Sequence, residues 1–140
     1  MSKAGKHIEL PKAFVEQMNA LIDSGSRDLF FDALESESPT SIRFNSAKDV
    51  DQNYTGTAVP WCDNAMYLDK RPQFTLDPLF HAGAYYVQEA ASMFVLNAIK
   101  QHVDDSKSLR VLDLCAAPGG KSTLLSGLGN KHLYVFNEIL

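Results

Sequence analysis

Only two cysteines, Cys62 and Cys115, occur in the 140 residues, too few for the disulfide framework of a small secreted domain. Long hydrophobic runs are missing too. The richest apolar stretch, residues 90–99, is broken by Ser92 and Asn97 and is too short to span a bilayer. The opening MSKAGKHIELPKAF holds lysines but no apolar core segment, so no secretory signal is expected there. There is no internal repeat and no low-complexity tract. Nor is there an excess of positive charge: 13 Lys and Arg face 17 Asp and Glu, a net −4, so bulk charge does not point to a strongly basic nucleic-acid module. A local basic surface stays open. With 45% hydrophobic and 21% charged residues the composition is that of a globular protein, which excludes collagen-like and charge-rich disordered classes. A reducing, cytoplasmic location is the expectation.

What is present divides near Gly83. In PKAFVEQMNALI, Phe14, Met18, Leu21 and Ile22 share one helical face, with Pro11 suited to the first turn and Gly25 to the stop. Ser26 can cap a second helix, RDLFFDAL. Residues 41–45, SIRFN, alternate as a strand. Residues 46–80 are the least periodic, with short strands expected at 59–61 and 65–68 between prolines. Beyond Gly83, residues 87–103 have the spacing of a mostly buried helix through Ala91, Phe94, Val95, Ala98, Ile99 and Val103. LRVLDLC then reads as a strand buried on both faces, AAPGG as a tight loop, KSTLLSGL as a helix and HLYVFNE as a second strand, together a β-α-β unit.

The loop of that unit is where chemistry is expected. Small residues let a ligand approach the backbone, and the carboxyl ends of parallel strands are where α/β sheets bind ligands. A phosphate-binding P-loop needs a glycine where Cys115 stands, although Gly120-Lys121-Ser122 matches its end. The dinucleotide pattern G-x-G-x-x-G is not supplied. S-adenosylmethionine, with a carboxylate and an ammonium in place of a pyrophosphate, needs only one short turn. Glu138 closes the second strand, where an acid can accept both ribose hydroxyls. Asp113 is expected near the ligand's amino end, with capping of the loop's own N–H groups as the competing role.

DLCAAPGGKS followed by Asn137-Glu138 resembles the Sun-type (Fmu-type) RNA cytosine-5 methyltransferases. PTSIRFN is similar to that family's P-x-x-x-R-x-N strand, and FHAGAYYVQEAASM to the Gly-x-Tyr-x-x-Gln segment before its cofactor loop. The resemblance spans roughly residues 10–140. It implies that Cys115, Ala116, Ala117, Pro118, Gly119, Gly120 and Lys121 line S-adenosylmethionine, mainly through backbone, and that Glu138 holds the ribose. It also implies an RNA partner, rRNA or tRNA, and no metal.

The reaction of that family needs a thiolate to add to carbon 6 of cytosine before carbon 5 can take the methyl group. Neither cysteine suits the role. The family's cysteines follow Pro and Thr in later segments, whereas Cys62 follows Trp61 and Cys115 follows Leu114. Cys115 is expected to be a small buried packing residue. The nucleophile is therefore expected beyond Leu140, and the chain alone is expected to be inactive. Arg43 and Asn45 are candidates for contacting RNA or positioning the cofactor domain. Gln88 and Ser92 are candidates for reaching cofactor or base, and Tyr85 and Tyr86 for stacking a base. For His81 and Trp61 a structural role is expected, and for Lys3, Lys6, Lys12, Lys70 and Arg71 a solvated surface.

The expected architecture is α/β. The start of a Rossmann-like methyltransferase domain at 81–140 follows a small α+β, RNA-binding-like domain at 1–80. Two rivals remain at this point: a non-catalytic RNA-binding or assembly module with a methyltransferase-like fold, and a P-loop nucleotide-binding protein. The oligomeric state is not legible.

Overall fold

The computed structural model describes residues 9–48, 54–104, 106–129 and 131–139, so Lys3, Lys6 and Leu140 lie outside the described residues. The chain divides into two compact units, Met1–Ser38 and Pro39–Leu140.

In the first unit, α1 (Lys12–Leu21) begins after Pro11, which stands at the N-cap. The helix stops earlier than Gly25: Ile22 is already extended. A carboxylate makes the turn that follows, since Asp23 Oδ1 accepts the N–H groups of Gly25 at 3.0 Å and Ser26 at 3.2 Å. Ser26 does precede α2 (Arg27–Glu35), but its side chain makes no capping bond. Arg27 instead turns back on α1, donating from Nε to Ile22 O at 3.0 Å and from Nη2 to Asn19 O at 2.5 Å. A cation thus closes the carbonyl end of a helix. Neither helix contains a buried residue.

The second unit opens with a four-stranded antiparallel sheet in the order β2-β3-β1-β4. Its strands are β1 (Ser41–Phe44), β2 (Gly56–Ala58), β3 (Ala65–Leu68) and β4 (Tyr85–Val87). β1 is central, pairing Ile42 with Met66 on one side and Val87 on the other. Ser41, Ile42 and Arg43 are accordingly all buried. A 3-10 turn at Phe74–Leu76 and α3 (Pro78–His81) link β3 to β4. Ile42, Phe74, Ala84 and Tyr85 form the core beneath them.

At the edge of that core is a polar hub. Asp77 caps α3 by accepting Leu79 N–H at 2.9 Å, and its other oxygen accepts the hydroxyls of Tyr85, at 2.7 Å, and Tyr54. These bonds, Tyr54 first, hold the Asp77 carboxyl below its ordinary value. Burial and the same hub push the Tyr85 phenol well up.

A second core of Val59, Cys62, Ala65, Ala90, Met93 and Leu124 joins the sheet to α4 (Ala90–His102) and α5 (Gly120–Ser126). β5 (Arg110–Asp113) and β6 (Leu133–Phe136) pair in parallel, Arg110 with Leu133 through Asp113 with Phe136, flanking α5 as the expected β-α-β unit.

Four expectations are corrected. Val87 belongs to a strand and not to the following helix, because the aromatic and β-branched run Tyr85-Tyr86-Val87 is captured by β1. Consequently α4 starts at Ala90 and buries Ala90 and Met93, leaving Phe94 51% exposed. The strand expected at 59–61 lies at Gly56–Ala58, since Pro60 sits in a turn closed by Cys62 N–H on Val59 O. β5 is not buried on both faces: Leu112 and Leu114 are 58% and 64% exposed, β6 being its one strand partner among the described residues. No helix among the described residues is long and apolar enough to cross a membrane.

Candidate functional site

The loop between β5 and α5 is built around its own small residues. Gly119 adopts φ +97°, a left-handed conformation, and its N–H donates to Ala116 O at 2.7 Å. A Cβ on Gly119 would meet nothing within 4 Å, so the glycine answers a backbone requirement and not crowding. Asp113 supports the loop from below. It accepts Cys115 N–H at 3.3 Å and the Ser122 hydroxyl at 2.7 Å, so of its two expected roles the capping one is observed. Glu138 reaches back from the end of β6 and accepts Ala117 N–H at 2.7 Å. Its second oxygen accepts Ile139 N–H.

Two spaces flank this loop. A hollow of about 240 Å³ is lined on the loop side by Cys115, Ala116, Ala117, Pro118, Gly120 and Lys121, and on the other by Tyr86, Gln88 and Ser92. A shallower hollow of about 360 Å³ shares Ala116 and Ala117 with the first and adds Gly119, Phe136 and Glu138. The structure therefore brings all eight expected residues to this loop and its two hollows: Cys115, Pro118, Gly120 and Lys121 line the first, Gly119 and Glu138 the second, and Ala116 and Ala117 both. Cys115 is exposed and not packed, the opposite of its expected burial. Among the described residues no cluster of three or more His, Cys, Asp or Glu is placed to hold a metal ion.

Beyond the Tyr86 ring lies a larger open cleft of about 680 Å³, walled by Arg43, Lys48, Asn45, Thr123 and Ser126, with no carboxylate among the described residues that line it. Tyr86 lines both spaces and is pinned by its hydroxyl to Pro118 O at 3.0 Å. Tyr85 also borders the cleft, but it is buried, with its hydroxyl on Asp77, and offers no face for stacking. Asn45 is spent on the backbone of Gly83 and Ala47, and Lys48 Nζ donates to Ala82 O.

The remaining candidates are structural. The Trp61 indole N–H donates to Ala90 O at 2.7 Å. His81 meets Thr75 O, and Arg71 lies 5.4 Å over the Phe74 ring. Cys62 is buried with its thiol toward Asn64 Oδ1. Burial pushes that thiol up, and the nearby Arg43 guanidinium does not offset it, which disfavours a thiolate. Sequence reasoning missed the Asp77 hub, although Asp77-Pro78 is a recognisable helix start. It also missed the partners of Arg43, which lie 45 and 80 residues away.

The profile of the N-terminal domain of 16S rRNA methyltransferase RsmF matches residues 10–90. A protein named ribosomal RNA small subunit methyltransferase F from Salmonella arizonae is 31% identical over 94% of the chain, which spans 30% of that relative's length. Among solved structures, a methyltransferase homolog protein from Pyrococcus horikoshii aligns with TM-score 0.59 and 26% identity, over 91% of this chain and 47% of its own. The fold is shared with the protein PH0851, at TM-score 0.66 and 22% identity, over 84% of this chain and 28% of that one.

Proposed function

Because the chain belongs to the family of the N-terminal domain of 16S rRNA methyltransferase RsmF, we propose that it forms part of an S-adenosylmethionine-dependent RNA cytosine-5 methyltransferase acting in the cytoplasm. The division proposed is an RNA-binding-like region at 1–80 and the first part of the methyltransferase domain at 81–140. One observation carries the reading: Glu138 at the end of β6 and the left-handed Gly119 turn at the end of β5 meet on a single loop.

The donor set suits this cofactor. Lys121 offers a cation for a carboxylate, Gln88 and Ser92 offer uncharged polar groups, and Glu138 offers an acceptor for ribose hydroxyls. When bound, the cofactor supplies an electrophilic methyl group. The residues of this chain hold and orient it. Neither cysteine is assigned as nucleophile, and we place that group in the part of the relatives outside these residues, of which the chain spans 30%.

Titration calorimetry tests the reading. S-adenosylhomocysteine is expected to bind one site with Kd on the order of 0.1–1 mM, and ATP to give no heat. Tight ATP binding without S-adenosylhomocysteine binding would return the loop to the P-loop class.

The cleft beyond Tyr86 is proposed as the path of the RNA backbone, on the strength of Lys48 and of a lining that holds no carboxylate among the described residues. Lys48→Glu is expected to weaken binding of a labelled oligocytidine RNA about tenfold at low salt and to flatten the salt dependence. Unchanged anisotropy titrations would remove the cleft from the RNA path.

A further inference from the structure

Arg43 sits in the central strand of the antiparallel sheet and is 6% exposed. A buried guanidinium ordinarily meets a carboxylate. Here its partners are two neutral side chains: Nε donates to Gln88 Oε1 at 2.8 Å and Nη2 to Thr123 Oγ1 at 2.7 Å. Each partner passes the bond on. Gln88 Nε2 donates to Gly120 O at 3.1 Å, and Thr123 Oγ1 donates to Gly119 O at 2.7 Å. Both arms of one cation therefore end on the carbonyls of the two glycines that shape the loop.

The donor and acceptor order is consistent along each arm. The Gln88 amide oxygen accepts while its nitrogen donates, and the Thr123 hydroxyl accepts from arginine while giving its own proton to Gly119. Gln88 cannot drift, because its backbone carbonyl accepts the Ser41 hydroxyl at 2.6 Å and its backbone N–H donates to Ser41 O at 3.2 Å. Gly120 approaches it closely: a Cβ there would lie 3.3 Å from Gln88 Nε2.

We propose that Arg43 is a positioning residue. From β1 it sets the Gly119-Gly120 turn of the cofactor loop through Gln88 and Thr123. Its effect on ligand rests on the proposed cofactor reading, while its effect on the turn does not.

Amide hydrogen exchange on the ligand-free chain separates the two. Arg43→Lys offers one ammonium where two divergent donors are needed. Gln88→Glu keeps the acceptor for Arg43 but removes the donor to Gly120 O, and Thr123→Val removes the hydroxyl that Thr123→Ser retains. In the first three variants the amides of Gly119 and Thr123 are expected to exchange about tenfold faster, with the β1–β3 ladder unchanged and Thr123→Ser like wild type. Equal acceleration along the ladder, or unchanged exchange at Gly119 and Thr123, overturns the proposal. The same variants are expected to bind S-adenosylhomocysteine about tenfold more weakly; binding equal to wild type also overturns it. If wild type itself does not bind, the cofactor reading fails and the exchange result still decides the role of Arg43.

Discussion

Replacing Asp77 by alanine is expected to lower unfolding free energy by about 2–3 kcal/mol, measured as the denaturant midpoint at constant slope. Three donors lose their acceptor at once: the N–H of Leu79 and the hydroxyls of Tyr54 and Tyr85. The Tyr85 ring is buried in the core of the antiparallel sheet, so its hydroxyl cannot simply turn to water. The effect also has a pH signature. The carboxyl is held below its ordinary 3.8, so its contribution is fully present above that value and is lost as pH falls through the lowered one. The Tyr85 phenol is held above its ordinary 10.0, so its contribution is present below pH 10 and lost above it. Asp77→Asn should therefore be less stable than wild type at pH 7 and converge on it in acid. A difference that persists unchanged however far the pH is lowered would mean that the charge is not what the hub uses.

Gly56→Ala is expected to be nearly as damaging, for a steric reason. A Cβ at Gly56 would stand 1.8 Å from the carbonyl oxygen of Tyr67 and 2.9 Å from its carbon, both backbone atoms of the neighbouring strand. Neither can swing aside, so the pairing of Gly56 with Leu68 and Thr57 with Tyr67 must open, at a cost of about 2–3 kcal/mol. Gly119→Ala is the counterpart. It has room but the wrong backbone, and the left-handed φ should cost about 1 kcal/mol. Chemical denaturation of both variants orders them. Gly56→Ala unfolding at the wild-type midpoint would show that β2 does not need that approach.

These two cases mark what the sequence makes legible. The β-α-β unit is readable because its signals are local: an apolar run, a small-residue loop and a helix-spaced run follow one another within 30 residues. β1 is readable for the same reason, as SIRFN alternates. The failures are non-local. Val87 looks like a helix start until β1, more than 40 residues earlier, claims it as a strand. Gly56 gives no hint of its closeness to Tyr67, because strand approach is decided by the partner. The loop residues are found by their small size, yet their support from Arg43 is not, since an arginine in a strand announces nothing about where its two arms end. That Glu138 reaches Ala117 of the loop is likewise a product of how β6 returns, not of spacing.

The β6 strand has a further consequence. It carries Glu138, yet Leu133, Val135 and Phe136 remain about half exposed, and its one strand partner among the described residues is β5. An element so thinly covered opens more readily than the antiparallel sheet does. Under the proposed reading, apparent affinity at the ribose end equals the intrinsic affinity reduced by the fraction of time β6 is seated. Whatever shields Phe136 and its neighbours from water would raise that fraction. It would tighten the hold on the ligand without touching it, and the ligand in turn would tighten the strand.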